Sequence, residues 1–241
     1  MTKRYRAQFG LRSALFVFVG LSIFLAWFGY KWRQAQAELS AAAYFDSIDG
    51  ICTWDYETDQ LGDAFPLRRR YPQFLRSLLG DAFGHHVVKV DFVRVSPVRD
   101  DDLPLLKQFG GLKEINFENA SITDKGLWHL SDLDGVTSLS LDGCQVGDEG
   151  LLAISKMRSI HTLSVARTRI TDEAATPLAG MDRLTSVNVS GTSIGDEFLK
   201  SLPVLPHLYA ISAYRTQVTK HGLMAIRKAN PNCEVRSDIA N

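Results

Sequence analysis

The chain repeats itself every 24 residues. Five units in phase occupy 111–134, 135–158, 159–182, 183–206 and 207–230. Aligned, they show apolar columns spaced L-x-x-L-x-L: Leu112/Ile115/Phe117, Val136/Leu139/Leu141, Ile160/Leu163/Val165, Leu184/Val187/Val189 and Leu208/Ile211/Ala213. In each unit a stretch of period two gives way to helical spacing, as in Leu127/Leu130/Leu133 and Leu151/Ile154/Met157. Period two predicts a strand that buries residues such as Ile115 and Phe117 and exposes their neighbours. Between strand and helix lies a column of Ala120, Cys144, Thr168, Thr192 and Thr216, small residues placed to bond the turn's backbone from inside. Thr123 or Gly147 opens the return helix, and Asp124, Asp148, Asp172 and Asp196 are expected to cap its positive end. One such unit cannot bury its apolar columns alone; only stacking makes a continuous core, so the chain is predicted to form a solenoid.

The periodic region extends in both directions. Residues 87–110 form a degenerate sixth unit, with Val87, Val90 and Phe92 in the strand columns and Val98, Asp100, Leu103 and Leu106 following after one inserted residue. Beyond the last unit, Cys233-Glu234-Val235 begins another strand, with Val235 in register with Ile211. About seven parallel strands, ~33 Å along the stack, are therefore expected. A 24-residue unit with these columns falls in the leucine-rich-repeat range. The expected fold class is an α/β leucine-rich-repeat solenoid: a curved parallel sheet with helices on the convex side. Ala174-Ala175 with Pro177, Phe198, Ala213 and Lys220 break the pattern in units three to five, which predicts irregular convex elements there.

Upstream of the repeats, residues 13–30 read SALFVFVGLSIFLAWFGY without a charge. As a helix this run spans about 27 Å, close to the apolar thickness of a bilayer. Trp27, Phe28, Tyr30 and Trp32 stand at its far end, where amphipathic rings favour the headgroup level. Lys3, Arg4, Arg6 and Arg12 precede the run, and Lys31 and Arg33 follow it. The basic excess places residues 1–12 in the cytoplasm and the repeats outside, in a single-pass topology. The rival is a cleaved signal peptide, since Ala35-Gln36-Ala37 has the small-residue pattern of a cleavage site. The length of the run, and the two cations between it and those alanines, favour an uncleaved transmembrane helix. Residues 31–49, rich in alanine, are expected to continue it as a juxtamembrane helical stalk, ended by Gly50. Residues 50–86 are read as a cap with a strand at 51–57, a loop at 62–66 and a helix at 71–79. The repeats proper cover 87–230, and 231–241 form the terminal strand and tail.

The chain resembles the small membrane-anchored leucine-rich-repeat proteins of some bacteria. The resemblance rests on the basic start and apolar span, on Trp54-Asp55-Tyr56-Glu57, on Leu78-Leu79-Gly80-Asp81, and on Thr123-Asp124-Lys125-Gly126-Leu127 in the repeat. The Cys/Thr turn column is similar to that of cysteine-containing repeats. Membership implies an interaction role and supplies no substrate.

The remaining residues argue against chemistry. Charges balance at 27 basic and 27 acidic, without the basic surplus of a nucleic-acid binder. Cys52, Cys144 and Cys233 are too scattered for a disulfide framework or a zinc site. The histidines occupy different repeat columns and cannot converge on a metal. Arg68-Arg69-Arg70, close to the membrane in sequence, is read as a solvated loop, with binding of anionic lipid as the alternative. No catalytic residue, cofactor site or metal site is assigned. What remains is the concave sheet face, where partner contact is expected at Ser140, Thr162, Ser164, Ser186, Asn188, Ser212 and Tyr214. The chain is thus expected to act as a protein-interaction module. The alternatives are a structural, self-associating envelope protein, and contact through the convex side around Trp128.

Overall fold

The computed structural model describes residues 11–55, 57, 85–92, 97–202 and 204–239, with side chains from residue 15 onward. The expected loop at 62–66, the helix at 71–79 and Arg68-Arg69-Arg70 lie outside the described residues. Each repeat contributes one short strand. The strands are β1 (Gly50–Trp54), β2 (Val87–Phe92), β3 (Glu114–Asn116), β4 (Ser138–Ser140), β5 (Thr162–Ser164), β6 (Ser186–Asn188), β7 (Ala210–Ala213) and β8 (Glu234–Ser237). They form one sheet in sequence order, β1 antiparallel to β2 and all later neighbours parallel. Register steps by one repeat: Ile115 faces Leu139, Leu139 faces Leu163, Leu163 faces Val187 and Ile211 faces Val235.

The return elements are shorter than the strand pattern alone suggests. They comprise a 3-10 turn at Asp100–Gln108, α2 (Asp124–Leu127), α3 (Asp148–Ile154), a 3-10 turn at Asp172–Ala174 leading into α4 (Ala175–Leu178), α5 (Asp196–Ser201) and α6 (Lys220–Ala229). Unit three is broken into two pieces, as its Ala-Ala-Pro sequence predicts. Unit five departs from expectation, because α6 is the longest regular return helix at 10 residues. Leu223 and Ile226 anchor it on the core, and Lys220 simply sits at its exposed first turn.

The turn column works as its residue types require. Thr168, Thr192 and Thr216 each donate their hydroxyl to the carbonyl three residues back, at 2.6, 2.6 and 2.9 Å. Cys144 instead points its thiol at the Phe117 carbonyl of the preceding unit, at 3.1 Å.

The aspartate column differs from expectation. These carboxylates do not cap their own helices; each reaches forward and accepts from the start of the next. Asp100 accepts from the Thr123 amide and hydroxyl at 2.9 and 2.6 Å, and Asp148 from the Thr171 amide and hydroxyl at 3.0 and 2.7 Å. Asp124 accepts from the Gly147 and Gly150 amides at 2.7 and 3.1 Å. A glycine three residues after the turn's Thr or Gly makes room for this reach, since a Cβ at Gly126, Gly150 or Gly222 would collide with the previous unit's aspartate. The column therefore ties unit to unit. Charge-assisted hydrogen bonds are worth about 1.5–3 kcal/mol each. Asp148→Ala is expected to destabilise the solenoid by about that much, while Asp148→Asn, which keeps the acceptor, should cost less. Chemical denaturation of the two variants measures the difference.

The first helix holds the largest departure. α1 (Leu11–Ser47) is a single helix of 37 residues. It contains a segment long and apolar enough to cross a membrane, and Leu15–Trp27 are exposed. Its later part does not stand free as a stalk. Ala35, Glu38, Ala41, Ala42 and Phe45 are buried, at spacings that line one helical face. Phe45 packs edge-on against Phe92 (5.4 Å between ring centres) and against Phe109 (5.8 Å), and Phe92 stacks on Phe117 (5.2 Å). Glu38 is 1% exposed and accepts from the Val87 amide at 2.7 Å and from His86 Nδ1 at 3.1 Å. That hydrogen bond raises the His86 pKa against the opposing effect of burial. Tyr44 donates its hydroxyl to Asp102 at 2.5 Å. The end of the repeat core is thus covered by the second half of α1 together with β1.

Candidate recognition surface

Strand alternation sends Ile115, Leu139, Leu163, Val187 and Ile211 into the core and leaves their neighbours on the concave face. All seven residues expected to contact a partner lie in or beside these strands. Thr162 and Tyr214 are exposed; Ser140, Ser164, Ser186, Asn188 and Ser212 are half-buried.

The face is less available than its hydroxyl-rich composition suggests. Asp142 accepts from the Ser164 hydroxyl at 2.5 Å and from the Ala166 amide at 2.9 Å. The Asn188 side-chain amide donates to the Ser164 oxygen at 3.0 Å. The Ser190 amide donates to Asn188 Oδ1 at 3.2 Å, and the Tyr214 amide to the Ser190 hydroxyl at 3.2 Å. Ser164 and Asn188 are therefore rungs of an internal polar ladder. Ser140, Thr162, Ser186 and Ser212 form no side-chain hydrogen bond among the described residues and remain open to a partner.

Where this ladder meets the loops after the strands, a cleft of about 400 Å³ opens. Its lining includes Asp142, Arg167, Asn188, Tyr214, Arg215 and Asp238. Strand alternation places Asp142, Asn188 and Tyr214 of these on the concave face, and only Asn188 and Tyr214 were expected to contact a partner. The arginines were legible by another route: they share a column with Asn119, Gly143 and Gly191, residues that accept a left-handed backbone. Arg167 and Arg215 take that conformation too, with φ of 56° and 53°. It costs a residue with a Cβ about 1–2 kcal/mol, and such strain gathers at functional sites. Arg167 reaches Glu118 at 3.1 Å on the exposed rim, and the Arg215 amide donates to Asp238. Tyrosine and arginine are also the residue types that dominate binding energy at interfaces.

Burial pushes the Cys52 thiol up to about 12 and the Cys144 and Cys233 thiols up to about 11, so they stay protonated and weakly nucleophilic near neutral pH. Among the described residues no cluster of histidine, cysteine and carboxylate groups could hold a metal ion. His85 and His86 are engaged with Asp55 (2.8 Å) and Glu38 (3.1 Å). On the convex side Trp128 is 43% and Leu152 52% exposed, and Lys156 Nζ lies 4.5 Å from the Trp128 ring centre.

Residues 136–155, spanning β4 and α3, match the leucine rich repeat family model. No curated protein matches the chain. Among solved structures it is similar to an internalin (inlF) of Listeria monocytogenes, at 20% identity and a TM-score of 0.49 over 62% of this chain and 40% of that one. An internalin C2 of the same organism is similar at 17% identity and a TM-score of 0.34, over 63% of this chain and 80% of that one. A leucine-rich-repeat protein of Leptospira interrogans is similar at 15% identity and a TM-score of 0.45, over 71% of this chain and 41% of that one. The chain thus spans about two fifths of the first of these proteins. Leucine-rich-repeat domains typically serve as non-enzymatic scaffolds that bind proteins. The matched unit, the 24-residue period on either side of it and the strands stacked in register give this chain a leucine-rich-repeat fold.

Proposed function

We propose that the chain is a membrane-anchored recognition protein. Its repeats stand outside the cytoplasmic membrane and hold a protein partner on the concave side, with α1 as the uncleaved anchor and residues 1–12 in the cytoplasm. The observation that carries this reading is the cleft around Tyr214, where a strained arginine pair and an exposed tyrosine meet the polar ladder. The course of α1 supports the anchor. A cut after Ala37 would fall inside a continuous helix, between buried Ala35 and buried Glu38, and would need that packed stretch to open first.

Tyr214 and Arg215 test the reading. Both are exposed, so replacing both with alanine should leave the melting temperature within a few degrees of the parent. Interface hot spots cost about 2 kcal/mol or more on truncation, roughly thirtyfold in affinity. Proximity labelling from the full-length protein in its membrane should therefore lose its main partner in the variant. An unchanged partner set with an intact fold would overturn the concave site.

A second reading, self-association as an envelope component, is favoured by one observation. β8 closes the described sheet with its outer edge unpaired, and unpaired edges template other strands. Concentration-dependent dimers of the full-length protein in detergent would support it.

A further inference from the structure

We infer that the solenoid lies along the membrane, with the edge where its strands begin resting on anionic lipid headgroups. The inference depends on α1 spanning the bilayer, as proposed above, and adds a second contact with the lipid. It starts from the direction of α1. Glu38 meets Val87 and His86 at the start of β2, while Phe45, further along the helix, meets Phe92 at its end. Nearer the apolar run, Gln34 packs beside Gly110, where a Cβ would sit 3.4 Å from its amide nitrogen, just ahead of β3. Tyr44 reaches Asp102, past the strand ends. The helix therefore runs in the same direction as the strands.

Two consequences follow from geometry. A helix that crosses the bilayer near its normal sets the strands along that normal too, so the stack, perpendicular to the strands, extends along the membrane surface. The strand-start edge also stands close to the lipid: Gln34 is four residues past Tyr30, about 6 Å along the helix.

The chemistry of the two edges differs in the way this placement requires. Lys113, Lys156, Arg158, Arg183, Arg227 and Lys228, all exposed, sit in the turns or helix ends that lead into strands. Glu114, Asp132, Asp134, Asp182 and Glu234 accompany them; Asp132 is paired with Lys107 and Glu234 with Arg236. The opposite edge exposes Asp101, Glu118, Glu149, Glu173, Glu197 and Asp238 against the cations Lys125, Arg169 and Lys220, with Arg167 and Arg215 in the cleft beside them. Helix dipoles account for part of this polarity, since the return helices start at the acidic edge and end at the basic one. They do not account for Val204 and Tyr209, which stand 69% and 59% exposed on the basic edge. Tyrosine beside lysine and arginine is the composition of a headgroup contact, and cations near an anionic surface are attracted to it. A negatively charged lipid surface fits this edge; the acidic edge, which carries the cleft, is left facing away and free for a partner.

The test uses the full-length protein in vesicles of phosphatidylcholine, with or without phosphatidylglycerol to give the surface a negative potential. Tyr209→Cys and Glu173→Cys carry a bimane label, and brominated lipids report contact by quenching. We expect strong quenching at position 209, increased by phosphatidylglycerol, and little at position 173. Lys156→Glu with Arg183→Glu should abolish the increase while α1 still resists alkaline carbonate. Equal quenching at both positions, or no response to phosphatidylglycerol or to charge reversal in a carbonate-resistant protein, would overturn the edge contact alone. Extraction of the parent chain by carbonate would overturn the anchor and the contact together.

Discussion

Phe45→Ala should cost about 3–5 kcal/mol of stability, as removal of a fully buried phenylalanine does. Phe45 is not accessible at all, and its ring joins α1 to Phe92 and Phe109, behind which Phe92 stacks on Phe117. The cavity would open where the helix closes the end of the repeat core. Two measurements distinguish this role from that of a free stalk. Thermal unfolding of the full-length protein should show the loss. Hydrogen exchange should accelerate between residues 35 and 47 while the apolar run stays protected by lipid. A helix that merely spaced the domain from the membrane would tolerate the change within about 0.5 kcal/mol, as surface positions do.

Leu163→Ala is expected to cost about 2–5 kcal/mol. Leu163 is fully buried and stacked between Leu139 and Val187 in adjacent strands, so the void cannot collapse without shifting two neighbouring units. Its neighbours provide the controls. Thr162, exposed and outside the polar ladder, should tolerate alanine within about 0.5 kcal/mol. Ser164 belongs to an intermediate class, because its hydroxyl donates to Asp142 and accepts from Asn188. Its removal should cost on the order of 1 kcal/mol, as for a partly buried hydrogen bond. The strand register would be contradicted by equal losses at 162 and 163.

The solenoid was legible because burial repeats with the period: any column that must face inward must be apolar in every unit, and counting residues recovers it. Contacts that cross from one unit to another are less visible. Asp124 sits where a helix cap belongs, and only the stacking of units shows that its carboxylate serves Gly147 in the next turn of the chain. The packed half of α1 was hidden for a different reason. Its inner face is mostly alanine, interrupted by Glu38, and a lone carboxylate in a helix ordinarily marks the solvent side. Here it is buried because it supplies the acceptor for the Val87 amide at the sheet's first parallel strand, and His86 pairs with it. In the cleft, strand alternation picks out Asp142, Asn188 and Tyr214, but the arginines lie beyond the strands. Their signal was positional: a column otherwise held by glycine and asparagine carries a long side chain twice.

Recognition by the concave face, from a domain fixed rigidly to its anchor, is the core of this account. The most direct measurement places a photo-crosslinking amino acid at Thr162, on that face, or at Leu152, on the convex side, in the full-length protein in its native membrane. Both positions are exposed, so neither substitution disturbs the core. The account predicts discrete adducts to another protein from position 162 and none from position 152. Adducts from 152 alone, or only crosslinked copies of the chain itself from 162, would contradict it.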